Sequence, residues 1–154
     1  MFQQRNRRNR GTSLGVILLI QQLLTSGPIP PITLCFIILQ VVIFMGYIPF
    51  MDPDHTHSLC LLPNVIINKK TWLRIILPVL MHADDMHLYY NMGSLLYKGK
   101  NLESLLGSIK FLSILITFIV CTPLLHIFLA YEIQNFLGID RYMHECTVGF
   151  SGKL

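Results

Sequence analysis

Two short segments hold the side chains best suited to chemistry. His82-Ala83-Asp84-Asp85-Met86-His87-Leu88-Tyr89-Tyr90-Asn91 supplies two imidazoles and an amide, and Gly149-Phe150-Ser151-Gly152 supplies a hydroxyl between glycines. His87 and Asn91 are four residues apart, so on a helix they share a face and both can donate to one developing oxyanion. His82 and His87 are five apart, about 140° around a helix, which disfavours a zinc-binding pair of the HExxH kind. A serine in the first turn of a helix lies near free backbone N–H groups and the positive end of the helix dipole, a setting suited to attack on a carbonyl. Plain structural roles compete with each of these. Serine is a preferred helix cap, and a polar helix end accounts for His82 and both aspartates. Asn91, deeper in an apolar run, is explained less well that way.

The elements that position these residues belong in a bilayer. The chain has 154 residues, is 53% hydrophobic and only 13% charged, and its mean hydropathy is +0.55, far from the balance of a soluble domain. An all-α, polytopic membrane protein is expected, with residues 1–30 as a basic tip and interfacial helix and 31–154 as the membrane domain. Leu14 to Leu24 is too short to span and follows Arg5, Arg7, Arg8 and Arg10, which suits an amphipathic helix lying in the interface; a signal peptide is the rival reading. Pro28, Pro30 and Pro31 close this part.

Spanning helices are expected at about 31–50, 84–100 and 109–131, and a fourth opens near 148. The middle one is ambiguous by hydropathy and is decided by charge. A crossing there returns Lys98, Lys100 and Lys110 to the side of the N-terminal arginines, so the N-terminus is expected to be cytosolic. Asp52 to Thr71 reads as a loop. Pro123 is expected to kink the third span and to free a backbone carbonyl for His126.

Several functions are disfavoured. The arginine tip lacks the basic stripe with interleaved aromatics that nucleic-acid binding needs, and lipid headgroups suit it better. His55, His57 and Cys60 have the types of metal ligands, but an HxH in a polar loop is more often solvated, and no metal or cofactor is expected. Cys35, Cys60, Cys121 and Cys146 show no CxxC spacing or disulfide framework. Cys60 and Cys146 share the non-cytosolic side in this topology, and whether they approach closely enough to pair is left open. A small channel or transporter subunit accounts for Asn91 and His126 but leaves the serine and histidine motifs as coincidence.

The pattern HxxxxHxxxN, followed about sixty residues later by GxSG, resembles the rhomboid intramembrane serine proteases, and the likeness runs from about Arg5 to Gly152. Trp72 and Arg74 resemble the family's Trp-Arg feature, with one residue between them here. Tyr97, Gly99, Glu103 and Leu106-Gly107-Ser108 resemble its segment after the second helix. The likeness is strongest to the endoplasmic-reticulum rhomboid-domain proteins. It implies the N-terminal part of a six-helix bundle, with three full spans and the start of a fourth.

The resemblance further implies Ser151 as nucleophile, His87, Asn91 and the Ser151 N–H as oxyanion donors, and His82, Gly149, Gly152, Trp72, Arg74 and Glu103 as supporting residues. In the family the general base is a histidine on the sixth helix. Only Gly152, Lys153 and Leu154 follow Ser151 here, so these 154 residues by themselves are expected to be a truncated, nearly inactive endopeptidase. Its partners would be the lipid bilayer, transmembrane-helix substrates and, through a further C-terminal portion, quality-control proteins of the endoplasmic reticulum. The alternative is a fragment that binds membrane helices without cleaving them.

Overall fold

The computed structural model describes residues 14–48, 51 and 59–148. Its helices are α1 (Leu14–Thr25), α2 (Pro31–Phe44), α3 (Pro63–Lys69), α4 (Leu73–Ile76), α5 (Asp85–Leu106), α6 (Ser108–Leu137) and α7 (Arg141–His144), with a 3-10 turn at Leu77–Leu80. Among the described residues there is no strand. One isolated antiparallel bridge pairs Leu61 with Thr147. The all-α class is as expected.

α5 is the axis of the bundle because one of its faces repeats at helical spacing. Leu88, Met92, Leu96, Gly99 and Glu103 are its buried residues, three or four apart and therefore in one stripe. Leu88, Met92 and Leu96 form a common core with Val16 and Leu19 of α1 and Ile37 and Phe44 of α2. α2 answers with Thr33, Ile37, Gln40 and Phe44 at the same spacing. Gln40 is fully buried, and neither of its amide atoms has a hydrogen-bond partner.

Three contacts fix the direction of α1. The Gly15 N–H donates to Asp85 Oδ2 at 3.0 Å, Gln22 lies beside Gly93, and Lys100 Nζ donates to the Ser26 carbonyl. α1 therefore runs parallel to α5. A Cβ on Gly15 would sit 2.2 Å from the Asp85 carbonyl oxygen, so only glycine permits this approach. α1 is packed lengthwise on α5, sharing with it the core of Val16, Leu19, Leu88, Met92 and Leu96. Leu14 stands at the Asp85 end, opposite Lys98 and Lys100, whereas charge placement put the N-terminal part with those lysines. The arginine cluster itself lies outside the described residues.

Glu103 joins the starts of α2 and α6 to the end of α5. Pro30 precedes α2 and offers no side-chain cap, so the first N–H groups of that helix need an outside acceptor. Glu103 Oε1 accepts from Ile32 N–H at 2.9 Å, and Oε2 accepts from Thr33 N–H and the Thr33 hydroxyl, both at 2.8 Å. The Ser108 hydroxyl donates to Oε1 at 2.7 Å. Burial of Glu103 opposes ionisation, but these four donors, Ser108 foremost, outweigh it and hold the carboxyl below its ordinary value. Between α5 and α6 the chain turns at Gly107, whose φ of 83° suits a residue without Cβ.

α6 then returns along the bundle, from Phe111 beside Gly99 to Ile127 beside Leu61, Ile66 and Ile75. At 30 residues it is about 45 Å long, and it is the one described helix both long and apolar enough to cross a membrane. The helices at the other two expected spans do not meet both conditions. α2 has 14 residues, about 21 Å against a core of about 30 Å. α5 has the length but carries Asn91, Lys98 and Lys100. His126 Nε2 has no hydrogen-bond partner, so the bond expected for it near Pro123 is not made by that nitrogen.

The segment read as a loop up to Thr71 contains α3, which begins at Pro63. Proline suits this first helical position because the N–H it lacks would be unpaired there anyway. Ile43, Met51 and Met81 cluster with Leu77 and Leu80 and fasten the loop to the far end of α2.

Candidate active site

The two aspartates of the His82–Asn91 segment build the start of α5. Asp84 is its N-cap, and its Oδ1 accepts the His87 N–H at 2.7 Å. Asp85, in the first turn, suits the positive end of the helix dipole and also receives the Gly15 N–H. Both carboxylates are thus occupied in structure. His87 follows in the same turn and is half-buried. Asn91 stands one turn on, about 6 Å farther along the axis and on the same face. Its Nδ2 is buried and has no hydrogen-bond partner.

His82 precedes α5 and is 2% exposed, and neither ring nitrogen has a partner. Its ring meets that of His87 edge to face, with centroids 5.3 Å apart. The separation of about 140° expected on one helix does not apply, because the N-cap Asp84, with φ −148° and ψ 171°, is extended and α5 begins only at Asp85; His82 is therefore not on the helix that carries His87. Burial, reinforced by the neighbouring His87, lowers the His82 pKa to about 3. At neutral pH His82 is therefore uncharged.

The remaining motif residues divide. Trp72 is 64% exposed and lies on the apolar groove between α3, α4 and α6. Arg74 reaches the Cys60 carbonyl through Nη1 at 3.5 Å. Glu103 acts at the opposite end of α5 from His87. Gly149, Ser151 and Gly152, and with them the opening of a fourth span, lie outside the described residues, as do His55 and His57.

The last described residues are nevertheless held firmly. Thr147 and Val148 are buried, Leu61 and Thr147 exchange N–H···O bonds of 2.9 and 3.1 Å, and Cys60 is joined to Cys146 by a disulfide. That bond settles the pairing left open by the sequence and removes Cys60 as a thiolate metal ligand. No group of three or more potential metal ligands occurs among the described residues. An apolar groove of about 410 Å³ between α3, α4 and α6 is lined by Ile67, Trp72, Phe128 and Tyr131 among others, and none of the predicted catalytic residues lines it.

His87 and Asn91 thus share one face of α5, and between them only the Asn91 Nδ2 is a buried donor without a hydrogen-bond partner. The family model of the rhomboid domain matches residues 69–154. The chain is 38% identical over 150 residues to Rhomboid-related protein 4 of Homo sapiens and 36% identical to that of Mus musculus, in each case over 96% of this chain and 46% of the relative. It is 34% identical over 128 residues to Rhomboid-like protein 14, mitochondrial, of Arabidopsis thaliana, over 81% of this chain and 38% of that protein. The chain thus spans about half the length, or less, of these curated relatives. No solved structure matches it.

Proposed function

The chain belongs to the rhomboid family, and we propose that it carries the nucleophile and oxyanion donors of an intramembrane serine endopeptidase. Ser151 attacks the scissile carbonyl of a membrane helix that has locally unwound. The charge that develops on the carbonyl oxygen is met by His87, Asn91 and the Ser151 N–H. The base is a histidine on a later helix of the complete domain, since an unassisted serine hydroxyl loses on the order of a million-fold in rate. The setting is the endoplasmic-reticulum membrane. The end of the bundle that carries His87 faces the non-cytosolic side, a placement supported by the disulfide nearby, because such bonds persist in oxidising compartments.

The observation that carries this reading is the Asn91 amide. Nδ2 is a buried donor without an acceptor, one turn from His87 on the same face, and leaving such a group unpaired costs about 1–3 kcal/mol. An acceptor that arrives only with the substrate gives that cost a purpose.

The test begins with the native polypeptide in membranes, detected through its N-terminal part, followed by cleavage of a transmembrane-helix reporter by wild type and Ser151→Ala. A species well above 17.7 kDa whose cleavage vanishes with Ser151→Ala is the expected result. A species of 17.7 kDa alone, or cleavage indifferent to Ser151, refutes the protease reading and leaves a helix-binding fragment.

A further inference from the structure

The loop between α2 and α5 is tied to the segment that runs into Gly149 by more links than a loop contact needs. Besides the Cys60–Cys146 disulfide, with Cα atoms 5.5 Å apart, there are the paired Leu61 and Thr147 backbone bonds. Asn64 Nδ2 lies 3.3 Å from His144 Nδ1, and Arg74 holds the Cys60 carbonyl. All of these attach to residues 60–74 on one side, and three of the four to residues 144–147 on the other. From Val148 to Ser151 is three residues, a reach of about 10 Å at full extension. Whatever fixes Thr147 therefore limits where Ser151 can stand.

We propose that Cys60 and Cys146 are positioning residues for Ser151, and that the bond between them is a redox clasp whose opening slows cleavage. This rests on the reading of Ser151 as nucleophile. Without the disulfide, a bridge one residue long must hold the register of the two segments. Its two backbone bonds are of ordinary strength, and so short a pairing is marginal in water.

The exchange chemistry has a preferred direction. Cys60 is fully buried, whereas Cys146 is half-buried. A dithiol reductant therefore attacks Cys146 Sγ as its thiolate, forming a mixed disulfide there and releasing the Cys60 thiolate, which takes up a proton. The second thiolate of the reductant then attacks its own sulfur in the mixed disulfide. This closes the reductant's disulfide and releases the Cys146 thiolate, which is protonated in turn. Two electrons pass from the dithiol to the clasp, and two protons follow.

The experiment uses the native polypeptide in its membrane, wild type beside the Cys60→Ser/Cys146→Ser variant, with dithiothreitol as the reductant. Differential alkylation and mass spectrometry report the state of the cysteines, and cleavage of a transmembrane reporter reports kcat and KM. The expected result is a linked Cys60–Cys146 pair whose reduction lowers kcat about a hundredfold, the loss typical of a misplaced reacting group, with KM little changed. Reoxidation restores the rate, and the double variant is slow with or without reductant. A merely structural bond would lower yield or thermal stability without that reversible effect on kcat.

Free thiols in native membranes, or a wild-type rate that ignores reduction, would overturn the clasp and leave the protease reading intact. No cleavage in any redox state, with Ser151→Ala indistinguishable from wild type, overturns both.

Discussion

Removing the Glu103 carboxylate tests the account of how the bundle is tied together. Its side chain accepts from Ile32 N–H, Thr33 N–H, the Thr33 hydroxyl and the Ser108 hydroxyl. In Glu103→Ala the two hydroxyls can turn to nearby carbonyls, but the two backbone donors open α2 and have no acceptor within their own helix. At about 1–3 kcal/mol for a buried donor left unpaired, Thr33 N–H carries the full loss and the part-buried Ile32 N–H less, roughly 2–4 kcal/mol together, a large share of a typical domain's ~5–15 kcal/mol. Glu103→Gln keeps one accepting oxygen and turns an amide N–H₂ toward two donors, so it should lose about half as much. Unfolding of the native polypeptide in detergent, followed by far-UV circular dichroism, measures both.

The pH dependence supplies the sign. The folded Glu103 pKa lies below its ordinary value of 4.5. Its stabilisation is therefore fully present above about pH 4.5 and is lost as pH falls through the folded value. The stability difference between wild type and Glu103→Gln should be flat near neutrality and shrink in acid. A Glu103→Ala variant within about 0.5 kcal/mol of wild type, or a difference that does not change in acid, would refute the reasoning.

His82 gives a second titration. Its pKa falls from 6.5 to about 3 in the fold, so the unfolded chain binds the extra proton between these values, and stability declines as pH drops through that window, by up to about 4–5 kcal/mol. His82→Gln should flatten this part of the stability profile relative to wild type. Gly15→Ala should cost about 1–3 kcal/mol or more, as overpacking does, because the new Cβ meets the Asp85 backbone rather than a movable side chain; thermal unfolding checks it, and an unchanged midpoint would mean that α1 does not pack on α5 as described. Asn91→Ala should lower kcat in a reporter assay by about 10²–10³ without lowering the unfolding midpoint, since it removes a buried donor that makes no bond in the folded chain; equal losses of stability and rate would assign Asn91 to packing.

The sequence by itself determined whatever depends on local order. The four-residue spacing of His87 and Asn91 and the long apolar run of α6 are local signals, and a helix turns them directly into faces and lengths. The motifs quoted from His82 to Gly152 were likewise enough to name the family that the comparisons then showed. Asp84 as a cap was within reach of the same reading, for a helix start selects its residue types locally.

Tertiary structure alone decided the rest, because each remaining feature depends on groups distant in sequence. The Cys60–Cys146 bond spans 86 residues, and no spacing rule says which cysteines meet. Glu103 caps a helix that begins about 70 residues earlier, because Pro30 leaves that helix start without a side-chain cap. The lengthwise packing of α1 turns on Gly15, whose missing Cβ matters only once Asp85 is beside it. Hydropathy and charge sum over residues in order, whereas the packing of α1 depends on which surface it fits.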